Sequence, residues 1–350
     1  MHVLVTGATG FIGRFVVDQL IAESRVKKVI VCSRNQLFHE NDKVVCYKLD
    51  LSIMGSLNQI EEEIDVVVHL AGCYDFSVSS DVNYRSNVLA TACVLDFVKS
   101  KLTSKVIPIV YSSTYAVYDP RASQVVGEDE NGQSVNSEIS YVSTKAMAER
   151  MIIESGLCAY IFRIGTVVGD SKYGQIIKYD GPYYLFKLLK SIAGAKTDKM
   201  LPVLPMPVSG EGIFPFVPVD YVAKVITRSI FKVPPQKPTV YGLYGDQVVF
   251  EGLFRWICER LSLNIYPVYL PDLLKSYPLP EAIFTGGEKV AELITSEFFE
   301  IPADSFFFVK HKISFNDHRF RMDFPELIVP SFASISDVLW AGFCEFEGEA

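Results

Sequence analysis

The sequence predicts a doubly wound α/β fold: a parallel sheet covered by helices on both faces, with a smaller C-terminal domain. Three observations carry this. Over the first 165 residues, short Val/Ile-rich runs alternate with amphipathic stretches, the pattern of repeated strand–helix–strand units. A glycine-rich turn stands between the first run and the first amphipathic stretch. After residue 165 the rhythm breaks, and Gly, Pro, Lys and aromatic residues take over.

In chain order, the strand candidates are "HVLVTG" (2–7), "KVIVCS" (28–33), "VVCYKLD" (44–50), "DVVVHLAG" (65–72), "VIPIVYSS" (106–113) and "AYIFRIG" (159–165). Apolar runs of this kind suit strands buried on both faces of a parallel sheet. "IGRFVVDQLIAES" (12–24) and "SNVLATACVLDFVKS" (86–100) lie among them as amphipathic helices. Further on, "FPFVPVDYVAKVITRSIF" (214–231) reads as a strand running into a helix. "PTVYGLYG" (238–245) reads as a strand and "FEGLFRWICERL" (250–261) as a helix. Residues 262–350 hold Pro-bounded short elements and many Phe.

The chain has 350 residues and is 49% hydrophobic, enough for a large core. No apolar run reaches the roughly 18 residues of a spanning helix, so no transmembrane segment is expected. "HVLVTG" begins a strand almost at once, so no secretion signal is expected. A net charge of −8 with no Lys/Arg block argues against nucleic-acid partners, whose phosphates would repel it. The seven cysteines are odd in number, widely spaced and free of C-x-x-C. They read as small buried hydrophobes in a reducing compartment, and a cytoplasmic location is expected. The five histidines show no metal-ligand spacing, so no metal is expected.

"VTGATGFIG" (5–13) places Gly7, Gly10 and Gly13 directly after the first strand and at the mouth of a helix. Gly7 allows a tight turn, Gly10 a close approach to a pyrophosphate, and Gly13 close packing of helix on strand. The first N–H groups of the helix then face the anion. A plain Gly-rich turn is the alternative, but the strand–turn–helix context is the one a dinucleotide loop needs. The second strand ends at Ser33-Arg34. A fold that prefers NAD has an Asp or Glu there, about 20 residues past the glycines. Ser33 and Arg34 suit a 2′-phosphate instead, so NADP(H) is favoured and NAD(H) remains possible.

"SYVSTKAMAER" (140–150) sets Tyr141 and Lys145 four apart on one helix face. With the glycines, the strand ends and this Tyr-x-x-x-Lys in one order, the chain resembles the extended short-chain dehydrogenase/reductase family. "LD" (49–50) matches its acidic adenine contact, here Asp50, with Leu51 beside it. "HLAG" (69–72) matches the strand that passes the adenine ribose. "SNVLAT" (86–91) matches its Asn-Val-x-Gly-Thr helix, with Ala90 in place of Gly. "YSSTYAVY" (111–118) matches its Ser-rich strand end, with Thr114 as the third hydroxyl. "HLAGCYDFSVSSDVNYRSNV", "VVGDSKYGQIIKYDGPYYLFKLLK" (167–190) and "FVPVDYVAKVI" (216–226) are similar to the male-sterility-type branch that reduces fatty acyl and other thioesters. "ISFNDHRFRMDFPELIVPSF" (313–332) loosely resembles its C-terminal segment.

The resemblance implies a Rossmann domain over 1–170, to which 214–245 returns, and a substrate-binding region over 171–350. It also implies reduction of an apolar carbonyl substrate, a fatty acyl thioester or aldehyde. Tyr141 would deliver a proton to the carbonyl oxygen. Lys145 would lower the phenol's pKa and hold the nicotinamide ribose. Thr114, with Ser113 as the alternative, would hydrogen-bond the same oxygen. Asn87 would organise helix and water. The cofactor contacts would be Gly7, Thr9, Gly10, Phe11, Ile12, Gly13, Ser33, Arg34, Asp50, Leu51, Ala71 and Gly72, with Tyr141 and Lys145. Homodimers are common in the family.

Residues 183–192 carry an aromatic and apolar stripe at helical spacing, which suits core more than pocket. Lys172, Lys178 and Lys187 suit a solvated face more than the phosphates of a CoA or phosphopantetheine. Two other readings stay open. One is a nucleotide-sugar epimerase or dehydratase with recycled NAD, against which stands the lack of any arginine between Arg163 and Arg228. The other is a non-catalytic NADP-binding regulator.

Overall fold

The computed structural model describes residues 1–34, 41–74, 78–102, 105–118, 125–129, 139–194, 203–275, 309 and 312–349. The Pro-bounded stretch 276–308 lies outside the described residues.

Seven parallel strands form the main sheet. In chain order they are β1 (His2–Thr6), β2 (Lys28–Ser33), β3 (Val44–Lys48), β4 (Val66–His69), β5 (Ile109–Thr114), β7 (Ala159–Ile164) and β11 (Thr239–Leu243). Their spatial order is β11-β7-β5-β4-β1-β2-β3. The chain starts in the middle, winds out to β3, then returns and winds the other way. That reversal opens a crevice between β1 and β4 at their C-terminal ends, where such folds bind ligands. All six sequence-predicted strands of the first half lie in this sheet.

Alternation along each strand sends side chains to opposite faces. Val3, Val5, Val29, Val31, Val66 and Val68 meet α1 (Phe11–Ala22) and α6 (Val219–Ser229) on one face. Leu4, Ile30, Val67, Ile109 and Ile161 meet α3 (Ala90–Lys101) and α4 (Ser140–Glu154) on the other. Burial on both faces accounts for the continuous apolar runs.

The second half builds smaller sheets. β8 (Thr166–Val168), β10 (Ile213–Pro218) and β12 (Asp246–Val249) form a three-stranded sheet; β9 (Val203–Met206) pairs with β13 (Tyr266–Tyr269). β6 (Val125–Val126) pairs with β14 (Ser314–Phe315). Around them pack α5 (Pro182–Gly194), α7 (Phe250–Arg260), α8 (Leu270–Lys275) and α10 (Phe332–Glu349). Tyr183, Phe186, Leu188 and Leu189 of α5 are buried against Phe343 and Leu339 of α10, so the stripe over 183–192 is mostly core.

One element crosses back. Helix α9 (His318–Asp323) and the residues after it place Phe320, Phe324 and Leu327 in the same core as Val3 and Val5. Tyr241 Oη donates to Asp323 Oδ2 at 2.9 Å, and Tyr221 Oη to the Leu327 carbonyl at 2.7 Å. Buried Glu128 accepts from the backbone N–H groups of Gly242, Arg319 and Phe320, which ties the start of α9 to edge strand β11. Residues 318–327 thus pack on the first half of the chain rather than within a 171–350 unit.

Candidate active site

The turn from β1 into α1 forms the floor of the site. Gly7 has φ +73, and a Cβ there would lie 2.5 Å from the Ala71 nitrogen. A Cβ on Gly13 would lie 2.1 Å from the Gly7 carbonyl oxygen, so this close crossing admits only glycine. Gly10 caps α1 without a side-chain hydrogen bond. The first N–H groups of the helix therefore have no side-chain partner there, and suit an anion.

Two cavities adjoin over this turn and share Gly7, Gly10, Leu70 and Gly72 as a common wall. The first, about 320 Å³, is polar. Thr9, Ser33, Arg34, Asp50, Leu51 and Ala71 line it, together with Arg85 and Ser86, which sequence reasoning did not single out. Asp50 Oδ1 accepts from the Ser52 N–H at 2.9 Å, and Arg34 and Arg85 are the charges that lower its pKa after that bond. The second cavity, about 330 Å³, is lined by Phe11, Ile12, Gly13, Thr114, Tyr141 and Lys145, with Ile164, Val167, Ile176 and Phe214 as apolar wall. Every catalytic and cofactor-contact residue expected from the sequence lines one of the two, whereas Asn87 lines neither. The uncapped helix start and the two arginines fit the pyrophosphate and phosphate of a dinucleotide.

Tyr141 and Lys145 stand on α4, and both are buried; they are not a surface pair. Thr114 ends β5, its hydroxyl accepts from the Ala116 N–H at 3.2 Å, and it lines the same cavity as the Tyr141 phenol. Burial pushes the phenol's pKa up, and Thr114 only partly offsets this. Lys145 was expected to lower that pKa, but the structure directs its ammonium elsewhere. Lys145 Nζ donates to the Ser112 carbonyl at 2.6 Å and lies 4.4 Å from the centre of the Tyr111 ring. Burial pushes Lys145 down to about 7, against the pull of Glu149 one turn further along.

Ser113 is not equivalent to Thr114. Its hydroxyl donates to Glu149, which is itself paired with Arg163 at 2.6 Å. Arg163 also donates to the Gly127 and Asp129 carbonyls. This buried ion pair lies behind the strand that carries Thr114. Asn87 sits in a π-helical turn, Tyr84–Leu89, before α3. Its Oδ1 accepts from the Cys73 N–H at 2.9 Å and its Nδ2 donates to Thr144 Oγ1 at 3.0 Å, which joins the β4 loop to α4.

His69, at the end of β4, is fully buried between Thr6 (2.7 Å) and Thr91 (3.0 Å). Thr91 gives its proton to the Asn87 carbonyl, so it accepts from His69 Nε2–H, and Nδ1 accepts from Thr6. Burial, with Lys145 nearby, pushes this imidazole down to about 3 from 6.5. The unfolded chain takes up the proton first, so stability falls as pH drops from 6.5 toward about 3, by about 1.4 kcal/mol per unit. Denaturant unfolding at pH 7 and pH 5 should show this slope, and His69→Gln should flatten it. His39 and His311 lie outside the described residues.

Over Tyr141 lies a cluster that sequence reasoning missed. The Tyr74 ring meets the Tyr141 ring edge-on, with centres 4.8 Å apart. Tyr74 Oη donates to Asp180 Oδ1 at 2.9 Å, and Lys178 Nζ to the Tyr74 carbonyl at 3.1 Å. Tyr74 and Asp180 stand in "AGCYD" and "IKYDG", whose only signal was their likeness to the thioester-reducing branch. Lys172 and Lys187 lie instead against the Tyr173 and Tyr179 rings.

Residues 48–226 match the family described as male sterility protein. The chain belongs to this family. Its fold is that of the extended short-chain dehydrogenase/reductases. A hybrid PKS-NRPS synthetase of Penicillium oxalicum is 26% identical over 292 residues, which cover 77% of this chain but 7% of that protein. The chain thus spans a small part of the synthetases it matches. UDP-arabinose 4-epimerase 1 of Arabidopsis thaliana is 24% identical over 304 residues, 79% of this chain and 71% of the epimerase. The terminal R domain from the myxalamid PKS-NRPS biosynthetic pathway superposes with a TM-score of 0.74 at 18% identity, over 99% of this chain and 90% of that one. Among the described residues of this male sterility family chain, no helix is long and apolar enough to cross a membrane.

Proposed function

We propose that the protein is an NADPH-dependent reductase of an apolar acyl thioester, with an aldehyde as product or second substrate. The observation that carries this is the second cavity: Thr114 and Tyr141 together beside buried Lys145, facing an apolar wall, next to the glycine turn. Bound NADPH would supply the hydride. The α1 N–H groups and Gly10 would hold its pyrophosphate, and Asp50 with Leu51 its adenosine. Thr114 and Tyr141 would hold the carbonyl oxygen, and Tyr141 would give it a proton. Lys145 would donate to the nicotinamide ribose. Ile164, Val167, Ile176 and Phe214 would cover the acyl chain and exclude water. The likeness to PKS-NRPS synthetases supports the thioester reading. The epimerase reading lacks support at the site, because no arginine lines the second cavity among the described residues.

Purified protein given NADPH and a long-chain acyl-CoA is expected to oxidise the NADPH. Oxidation of neither with acyl-CoA nor with fatty aldehyde, together with bound NAD(H) in the purified protein, would overturn the reading.

NADPH preference rests on Ser33 and Arg34, with Arg85 a further cation at the same cavity. A charge-assisted bond of this kind contributes about 1.5–3 kcal/mol. Arg34→Ala should therefore raise the KM for NADPH by roughly 10–100-fold and leave that for NADH nearly as it was. Equal effects on both cofactors would contradict the assignment.

A further inference from the structure

The reduction of a thioester to an aldehyde has a proton requirement that Tyr141 alone does not meet. When the carbonyl carbon is reduced, the Tyr141 proton passes to the oxygen and a hemithioacetal forms. On collapse the C=O bond returns and the hydroxyl proton goes back to the Tyr141 phenolate. The C–S bond breaks and its electron pair leaves on sulfur. With the reduced nicotinamide as the two-electron donor, the overall change consumes one proton, which ends on the thiol. Tyr141 is engaged at oxygen throughout, so the proton on sulfur comes from a second acid. Reduction of an aldehyde needs only the proton on oxygen.

Asp180 is a titratable group on the wall of that cavity with no part in the mechanism above. It lies in the loop between β8 and α5. Its Oδ1 accepts from the Tyr74 phenol at 2.9 Å and from the Gly181 N–H at 2.8 Å, and its Oδ2 faces Lys178 Nζ at 3.5 Å. Its side chain is 25% exposed, so it reaches both solvent and the cavity. The groups that face it are Lys178 from its own loop, Tyr74 after β4, Tyr115 after β5 and Tyr141 on α4. Only Lys178 among these is a cation. Burial pushes the carboxyl up, while Lys178 and the Tyr74 hydrogen bond pull it back.

We propose that Asp180 is the acid that protonates the departing thiol, and that Tyr74 holds it in position. This rests on the thioester reading of the site. Asp180 gives its carboxyl proton to sulfur as the C–S bond breaks, and regains one from solvent at its exposed side. The acid form is the active one, so thioester turnover declines as pH rises through the Asp180 pKa.

The test compares turnover of an acyl-CoA with turnover of the matching fatty aldehyde, in the wild type, Asp180→Asn and Tyr74→Phe. Asn keeps an oxygen for the Gly181 N–H, and Phe keeps the ring contact with Tyr141. The ratio of thioester to aldehyde turnover is expected to fall about 100-fold in Asp180→Asn, and in the same direction but less in Tyr74→Phe. The alkaline decline specific to the thioester should vanish in Asp180→Asn. Independently of turnover, infrared difference spectra should show a carboxylic-acid carbonyl band that Asp180→Asn lacks. An unchanged ratio, or equal losses on both substrates, would show that Asp180 only braces the loop and would overturn the proposal. A wild type that reduces aldehyde but no thioester would overturn the thioester reading, and this proposal with it.

Discussion

Tyr141→Phe is expected to lower kcat for reduction by about 10²–10⁴-fold, the range typical of a lost general acid, with a far smaller loss of NADPH affinity. The phenol is buried beside Thr114 and raised in pKa by that burial. A raised pKa keeps it protonated, so it stands ready to donate when the carbonyl oxygen gains charge. Phe keeps the edge-on contact with Tyr74 and the packing against Ala116 and Val142, so the fold should survive. Thermal unfolding and NADPH titration would check that. Turnover within about threefold of wild type would remove Tyr141 from the chemistry.

The second large effect concerns stability. Arg163→Met leaves the buried Glu149 carboxylate without its ion-pair partner and removes a donor from the Gly127 and Asp129 carbonyls, of which Gly127 keeps Tyr244 Oη. Breaking one side of a buried pair costs about 3–5 kcal/mol. Lys105, which pairs with Glu63 and Asp65 at the surface, offers the contrast: Lys105→Met should cost about 1 kcal/mol or less. Urea unfolding measures both. Because Ser113 donates to Glu149, and Thr114 follows Ser113, the Arg163 variant should also lose activity beyond its loss of stability.

How much of this was legible in the sequence differs by element. The main sheet was readable because strands buried on both faces must be continuously apolar, and the chain says so six times before residue 165. The glycine turn was readable because Gly7 and Gly13 meet backbone at distances that no side chain tolerates. That Tyr141, Lys145 and Thr114 meet in one cavity was readable from local spacing and from the likeness that the other motifs carry. The return of Phe320, Phe324 and Leu327 to the first core was not, since apolar spacing does not name the surface it will cover. Arg163 hid inside "AYIFRIG", where only the fold reveals Glu149 as its partner. The link between Tyr74 and Asp180 spans 106 positions and leaves no periodic trace. The direction of Lys145 was missed for a further reason: sharing a helix face with Tyr141 does not decide whether its ammonium turns to the phenol or to the Ser112 carbonyl.

The central claim is that this cleft reduces a thioester. The most direct measurement follows free thiol and NADPH together when purified protein meets a long-chain acyl-CoA. Thiol should be released in step with NADPH oxidised, or in fixed proportion to it if the aldehyde is reduced further, and neither event should occur in Tyr141→Phe. NADPH oxidised without thiol release, or thiol released without NADPH oxidised, would contradict the claim.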